Sequence, residues 1–175
     1  IIASSLMAEA PRLSHLLGSG AILQREADIP LMGYADPGSS VTVLFADKEQ
    51  STTASDTGEW SVVFPAMDAG GPYSISVKSD GGEALSEDVW VGDLWICSGQ
   101  SNMERPCSRF PSDPGLDRWI RAAPYPNLRL FHNGRWQAAS TNNLPDFSAL
   151  MTAFGIRHRY DVMLSLQWAR RSLST

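Results

Sequence analysis

The stretch Cys97-Ser98-Gly99-Gln100-Ser101-Asn102-Met103 sets one serine in a small-residue turn directly behind an apolar run. That run, Val89-Trp90-Val91-Gly92-Asp93-Leu94-Trp95-Ile96, has the β-branched and aromatic residues of a buried strand. Gly99 permits the sharp turn that follows. A strand ending in this way can present a hydroxyl into a crevice, so Ser101 is the candidate nucleophile. A serine hydroxyl attacks poorly at neutral pH unless a base takes its proton and donors hold the charge that forms on the tetrahedral oxygen. The chain offers three histidines as bases, His15, His132 and His158. His15 falls in a β-rich region and reads as a surface residue. His158 lies between Arg157 and Arg159, where a solvated basic helix end is the plain reading.

Spelled out as Val91-Gly92-Asp93-Leu94-Trp95-Ile96-Cys97-Ser98-Gly99-Gln100-Ser101-Asn102-Met103-Glu104, the stretch closely resembles the nucleophile block of sialate O-acetylesterases, members of the SGNH (GDSL-like) hydrolase superfamily. The resemblance implies that Ser101 attacks an acetyl ester and that Gly99, Gln100 and Asn102 shape the loop around it. It also implies oxyanion donors from the serine's own N–H, from a glycine N–H and from an asparagine side chain in two further blocks. The base would be a histidine in an Asp-x-x-His block near the end of the domain. Only the first block can be matched here, and none of the three histidines has Asp three residues before it. No metal or other cofactor is implied, and the substrate would be an O-acetylated sugar or sialic acid.

Upstream of the serine, residues 13–91 read as short strands separated by turn chemistry, the pattern of a β-sandwich. Val41, Val43 and Phe45 alternate with Thr42 and Leu44; Trp60, Val62 and Phe64 alternate with Ser61 and Val63; Tyr73, Ile75 and Val77 alternate with Ser74 and Ser76. Period two places each triplet on one face, and Trp60 and Tyr73, in phase with aliphatic neighbours, are expected to pack in the core. Asp36-Pro37-Gly38, Asp56-Thr57-Gly58 and Asp80-Gly81-Gly82 supply the turns, each with a glycine that tolerates positive φ, and suit consecutive hairpins. Leu13-Ser14-His15-Leu16-Leu17, Ala21-Ile22-Leu23-Gln24-Arg25 and the run from Ile29 to Gly38 also resemble the opening of the esterase family, where they belong to a β-rich module ahead of the hydrolase domain.

Beyond Ser101 the pattern changes to loops and helices. Leu116, Trp119, Ile120 and Ala123 share a helical face, Asn127 to Phe131 reads as a short strand, and Phe147, Leu150, Met151 and Phe154 repeat at helical spacing behind an Asp146 cap. Alternating strands and helices imply an α/β layer. Gly134-Arg135-Trp136-Gln137 and Asp146-Phe147-Ser148-Ala149-Leu150 again resemble the esterases just past their nucleophile. After about Tyr160 the resemblance stops. Where the family would continue into an apolar strand and a Ser-Trp-Gly-Gly loop, this sequence could form an amphipathic helix through Val162, Leu166, Ala169 and Leu173. A truncated or frame-shifted hydrolase is the expectation that follows. The expected architecture is a β-sandwich module over residues 11–91, then the beginning of an α/β hydrolase domain of SGNH, flavodoxin-like type over 92–175.

The bulk properties narrow the partners. The formal net charge is -5, and no Lys/Arg cluster occurs in the first hundred residues, which argues against nucleic acid. No apolar run approaches the roughly 20 residues needed to span a bilayer. The start, Ile1 to Ala10, reads like the tail of a secretory signal closing on an Ala-x-Ala pattern, so a secreted or periplasmic location is expected. Cys97 and Cys107 bracket the serine and would close a loop in an oxidising compartment, although two buried free thiols are the favoured reading. Two functions follow: the N-terminal part of a carbohydrate O-acetylesterase, incomplete without a histidine from a missing C-terminal half, or a non-catalytic carbohydrate-binding β-sandwich carrying a vestigial hydrolase stub.

Overall fold

In the computed structural model, the described residues are 8–96, 121, 124–132, 134–140, 142 and 163–166. In chain order the strands are β1 (Arg12–Leu13), β2 (Ile22–Gln24), β3 (Ile29–Tyr34), β4 (Ser40–Phe45), β5 (Lys48–Thr53), β6 (Glu59–Phe64), β7 (Gly70–Ser79), β8 (Gly82–Ile96), β9 (Tyr125–His132), β10 (Arg135–Ala139) and β11 (Met163–Leu166), with a 3-10 turn at His15–Leu17 between the first two. They form a three-stranded sheet in the order β1-β3-β6 and an eight-stranded sheet that includes β10-β9-β11-β8-β7-β4-β5, with β2 joined to β8.

The sheets face each other across one core, and the alternation read from the sequence decides which residues enter it. Val41, Val43 and Phe45 from β4 meet Trp60, Val62 and Phe64 from β6, with Ile75 and Val77 of β7 alongside. Phe45 is fully buried and lies edge-on to Phe64 of the opposite sheet, ring centroids 5.5 Å apart, and to Tyr73 of its own sheet at 5.6 Å. Edge-to-face rings of this kind add to what their buried area contributes. Trp60 sits opposite Gly33 on β3. A Cβ at Gly33 would run into the indole ring and the Arg12 carbonyl, so the glycine is what lets both approach β3 closely. The other edge of the sandwich is β5, Lys-Glu-Gln-Ser-Thr-Thr, whose polar and charged side chains discourage another strand from pairing there.

The turns occur where expected, and Gly38, Gly58 and Gly82 all take positive φ, at 75°, 80° and 133°. Their topological role differs from the expectation of consecutive hairpins. Asp36-Pro37-Gly38 and Asp56-Thr57-Gly58 carry the chain from one sheet to the other, β3 to β4 and β5 to β6, and only Asp80-Gly81 closes a hairpin, between β7 and β8. The other sandwich hairpin, β4 to β5, turns on Ala46 and Asp47, both left-handed at φ 49° and 59°. Two consecutive positive φ values suit a tight two-residue hairpin, but Ala-Asp carries little of the usual glycine or asparagine signal.

In the second part of the chain, the strand expected at 127–131 is present as β9. It turns at Gly134, φ 75°, into β10, a strand the sequence reading did not assign although Asn133-Gly134 is a strong hairpin signal. Met163–Leu166, read from spacing alone as part of a helix, is instead a strand lying antiparallel to both β8 and β9. Main-chain pairing on both sides outweighs the weak local preference of four residues. The helices expected near 116–123 and 147–154 fall almost wholly outside the described residues. Among the described residues, no helix is long and apolar enough to cross a membrane.

Replacing Phe45 by Ala removes the ring that joins the two sheets and is expected to destabilise the chain by about 3–5 kcal/mol, while Leu44→Ala on the exposed face changes stability by less than about 0.5 kcal/mol. Urea denaturation followed by tryptophan fluorescence measures both; similar midpoints for the two variants would contradict this core.

Candidate active site: the strand that leads to Ser101

The strand expected before the serine is β8, and it is 15 residues long. Its first part pairs antiparallel with β7, up to Val91 opposite Gly70. Between Ser86 and Val89 it gains a residue relative to β7, a bulge that puts Asp88 in the left-handed region at φ 56°. From Trp90 to Gly92 it lies parallel to β2, and from Asp93 to Ile96 it pairs with β11. Ser101, Gly99, Gln100 and Asn102 follow at once and lie outside the described residues, as do Cys97, Cys107 and His158. His15 is exposed on the 3-10 turn, and His132 is the last residue of β9.

What the structure does describe is how the sandwich holds this strand. At the end of β2 the Arg25 N–H donates to the Gly92 carbonyl at 2.9 Å. The Arg25 Nε donates to the Asp93 carboxylate at 2.7 Å, and the Leu94 N–H donates to the Gln24 side-chain oxygen at 3.0 Å. Three consecutive residues of β8 are thus fastened by two consecutive residues of the sandwich. Both members of the Arg25–Asp93 pair are about 30% exposed, at 28% and 31%. The hydrogen bond to Asp93, then the charges of Asp93 and Glu26, raise the Arg25 pKa above its ordinary value.

A second fastening joins β8 to β9. Arg129, its side chain only 13% exposed, donates from both terminal nitrogens to Asp88, at 2.6 and 3.1 Å. The Trp90 indole N–H donates to the same carboxylate at 2.7 Å. Partial burial pushes the Asp88 carboxyl up, but these hydrogen bonds and the Arg129 charge outweigh it and hold the group below its usual range. Further along, Trp136 of β10 packs at a tilt against Phe131, ring centroids 5.3 Å apart, and donates its indole N–H to the Leu16 carbonyl at 2.9 Å. A hollow of about 220 Å³ lies at this junction, walled largely by apolar side chains such as Leu17, Ile22, Ile29, Leu94 and Trp136. Ser14, Gln24 and Asp28 supply the polar part of its lining.

The sequence reading missed these fasteners. Gln24-Arg25 and Gly92-Asp93 were both visible as motifs, but Arg25 and Asp93 lie 68 positions apart and nothing local joins them. Asp88 and Arg129 carry no periodic signal at all.

No protein-family model matches the chain. Sialate O-acetylesterase from Mus musculus is 29% identical over 132 residues, 69% of this chain and 24% of the relative. The Homo sapiens enzyme of that name is 30% identical over 104 residues, 53% of this chain and 20% of the relative. The chain thus matches about a quarter or less of these relatives' length. Among solved structures, a carbohydrate acetylesterase from Xanthomonas citri has a TM-score of 0.72 at 36% identity, covering 80% of this chain and 35% of that one. By fold and by sequence, then, the chain is similar to a carbohydrate acetylesterase. Its curated relatives are sialate O-acetylesterases, and the serine block resembles the same family.

Because the Asp88 pKa is lowered on folding, the Asp88–Arg129 pair stabilises the chain fully above the unfolded carboxyl value of about 4 and loses that effect as pH falls through the folded value. Asp88→Asn is therefore expected to lower the urea midpoint by a constant amount from pH 8 to pH 5, with the gap closing below about pH 4. A gap that persists undiminished at the lowest pH at which the chain folds would contradict this linkage.

Proposed function

We propose that the chain is the N-terminal part of a carbohydrate O-acetylesterase of SGNH type, in which Ser101 is the nucleophile. Residues 11–91 form the sandwich module in this reading, and 92–175 begin the hydrolase domain. The Ser101 hydroxyl attacks the acetyl carbonyl carbon while a histidine supplied from outside this chain takes the proton. The tetrahedral intermediate expels the sugar hydroxyl, which receives that proton, and an acetyl-serine remains. Water then attacks the acetyl-serine, its proton going to the same histidine, and acetate and free serine are released. Gly99, Gln100 and Asn102 shape the nucleophile loop, and the Ser101 N–H helps to hold the oxyanion. No cofactor is required. The substrate is an O-acetylated sugar such as an acetylated sialic acid, and a secreted or periplasmic location suits it.

The observation that carries this reading is the likeness to the Xanthomonas citri acetylesterase. It extends over 80% of the chain, more than residues 11–91 could supply, so the sandwich and the segment after it are similar together. A detached carbohydrate-binding module would need only the sandwich. The incomplete triad is what favours the binding-module alternative.

The test is hydrolysis of 4-nitrophenyl acetate with imidazole added as a substitute base, comparing the chain with Ser101→Ala. Under the esterase reading, Ser101 supports a weak rate that rises with imidazole and falls at least tenfold in Ser101→Ala once the free-imidazole background is subtracted. Equal rates for the two proteins at every imidazole concentration would overturn it.

A further inference from the structure

β8 loses its sandwich strand neighbours just before the serine block, and what replaces them is one main-chain bond and two side-chain bonds from Gln24 and Arg25. The β7 pairing ends at Val91, opposite Gly70, and the β2 backbone pairing ends at Gly92, opposite Gln24. Beyond that point the hold that the sandwich keeps on β8 comes from Gln24 and Arg25. The Arg25 N–H takes the Gly92 carbonyl, its guanidinium takes the Asp93 carboxylate, and the Gln24 amide oxygen takes the Leu94 N–H.

The clamp is itself braced. Gln24 Nε2 donates to the Arg25 carbonyl at 3.0 Å, and Arg25 Nη1 donates to Glu26 at 2.9 Å, so the guanidinium is held by two carboxylates at once. Glu26 is left-handed at φ 56°, and its N–H donates to the Met67 carbonyl at 2.9 Å. The chain therefore turns away directly behind the clamp and leaves its side chains aimed at β8.

We infer that Gln24 and Arg25 are positioning residues for the nucleophile, acting through Asp93 and the Leu94 N–H to fix the direction in which β8 delivers Ser101. The assignment rests on the esterase reading for its catalytic consequence, though not for its geometry. Ser101 follows Asp93 by eight positions in the sequence, so the hold on Asp93 and Leu94 is the last one the sandwich keeps on the strand ahead of it. A misplacement of about 1 Å at a reacting group can lower a rate about a hundredfold. An ion pair this exposed contributes little to global stability, which makes orientation the better account of its three-point geometry.

Hydrogen exchange on the full chain decides the point. Arg25→Met and Gln24→Leu are expected to leave the urea midpoint and the protection of β4, β6 and β7 unchanged while accelerating exchange of the 92–94 amides at least tenfold. Arg25→Lys, which keeps a cation beside Asp93, restores most of the protection. Acceleration spread evenly over both sheets, or none at 92–94, overturns the inference, and Asp93→Asn provides the same readout if either variant fails to fold. The imidazole-supported 4-nitrophenyl acetate assay supplies the catalytic arm, in which Arg25→Met lowers the Ser101-dependent rate about tenfold without changing the ester concentration at half-maximal rate. A wild-type chain with no Ser101-dependent rate would sink the esterase reading, while the exchange data would still decide the clamp.

Discussion

β8 carries a hydrogen-bonding demand that no single neighbour can meet. Every buried N–H and C=O along its 15 residues requires a partner, yet β7 accompanies it only as far as Val91. The rest is divided between the backbone of β2, the side chains of Gln24 and Arg25, and β11. Because one strand belongs both to the sandwich and to the approach to the serine block, the two parts meet without a linker. The Arg129–Asp88 pair and the Trp136 bond to Leu16 reinforce that meeting from the other side. A tether of glycine and serine would have allowed the parts to move independently; a shared strand does not.

The sandwich was legible in the sequence to the extent that local periodicity determines it. Val41, Val43 and Phe45, and likewise Trp60, Val62 and Phe64, enter the core because period two allows one face per strand, leaving Leu44 and Val63 exposed on the other. The glycines at 38, 58 and 82 were legible for a similarly local reason, a backbone that requires positive φ. Which sheet each strand joins was not legible. Asp36-Pro37-Gly38 turns the chain whether the next strand pairs with the last or crosses to the other layer, and the choice depends on the whole core. The Ala46-Asp47 hairpin was hidden because its residues adopt the left-handed region against their ordinary preference.

The candidate site divides along the same line. The strand ahead of the serine could be read because its apolar run is contiguous, and the curated relatives carry the name of the family that the sequence resembled. Its supports could not be, because Arg25 and Asp93, or Asp88 and Arg129, meet only after the strands have paired. Met163–Leu166 makes the converse point, since four residues with an acceptable helical spacing become a strand once two neighbours offer main-chain partners.

The bulge at Asp88 explains why the phase of β8 is right for what it carries. Upstream of it Ser86, at an even position, faces inward; downstream Val89 and Val91, at odd positions, do so. In a regular strand, side chains two apart share a face, so an unbroken β8 that buried Ser86 would also turn Asp88 and Trp90 inward and Val89 and Val91 out. The extra residue reverses that parity and returns the valines to the core. It also leaves Asp88 on the outside, where Arg129 and the Trp90 indole secure it. The same offset sets the faces of the residues that follow as far as Leu94, with Asp93 toward Arg25 and Leu94 toward the apolar hollow. A local irregularity stabilised by one carboxylate thus fixes the register in which the strand arrives at the serine block, while Gln24 and Arg25 fix its direction.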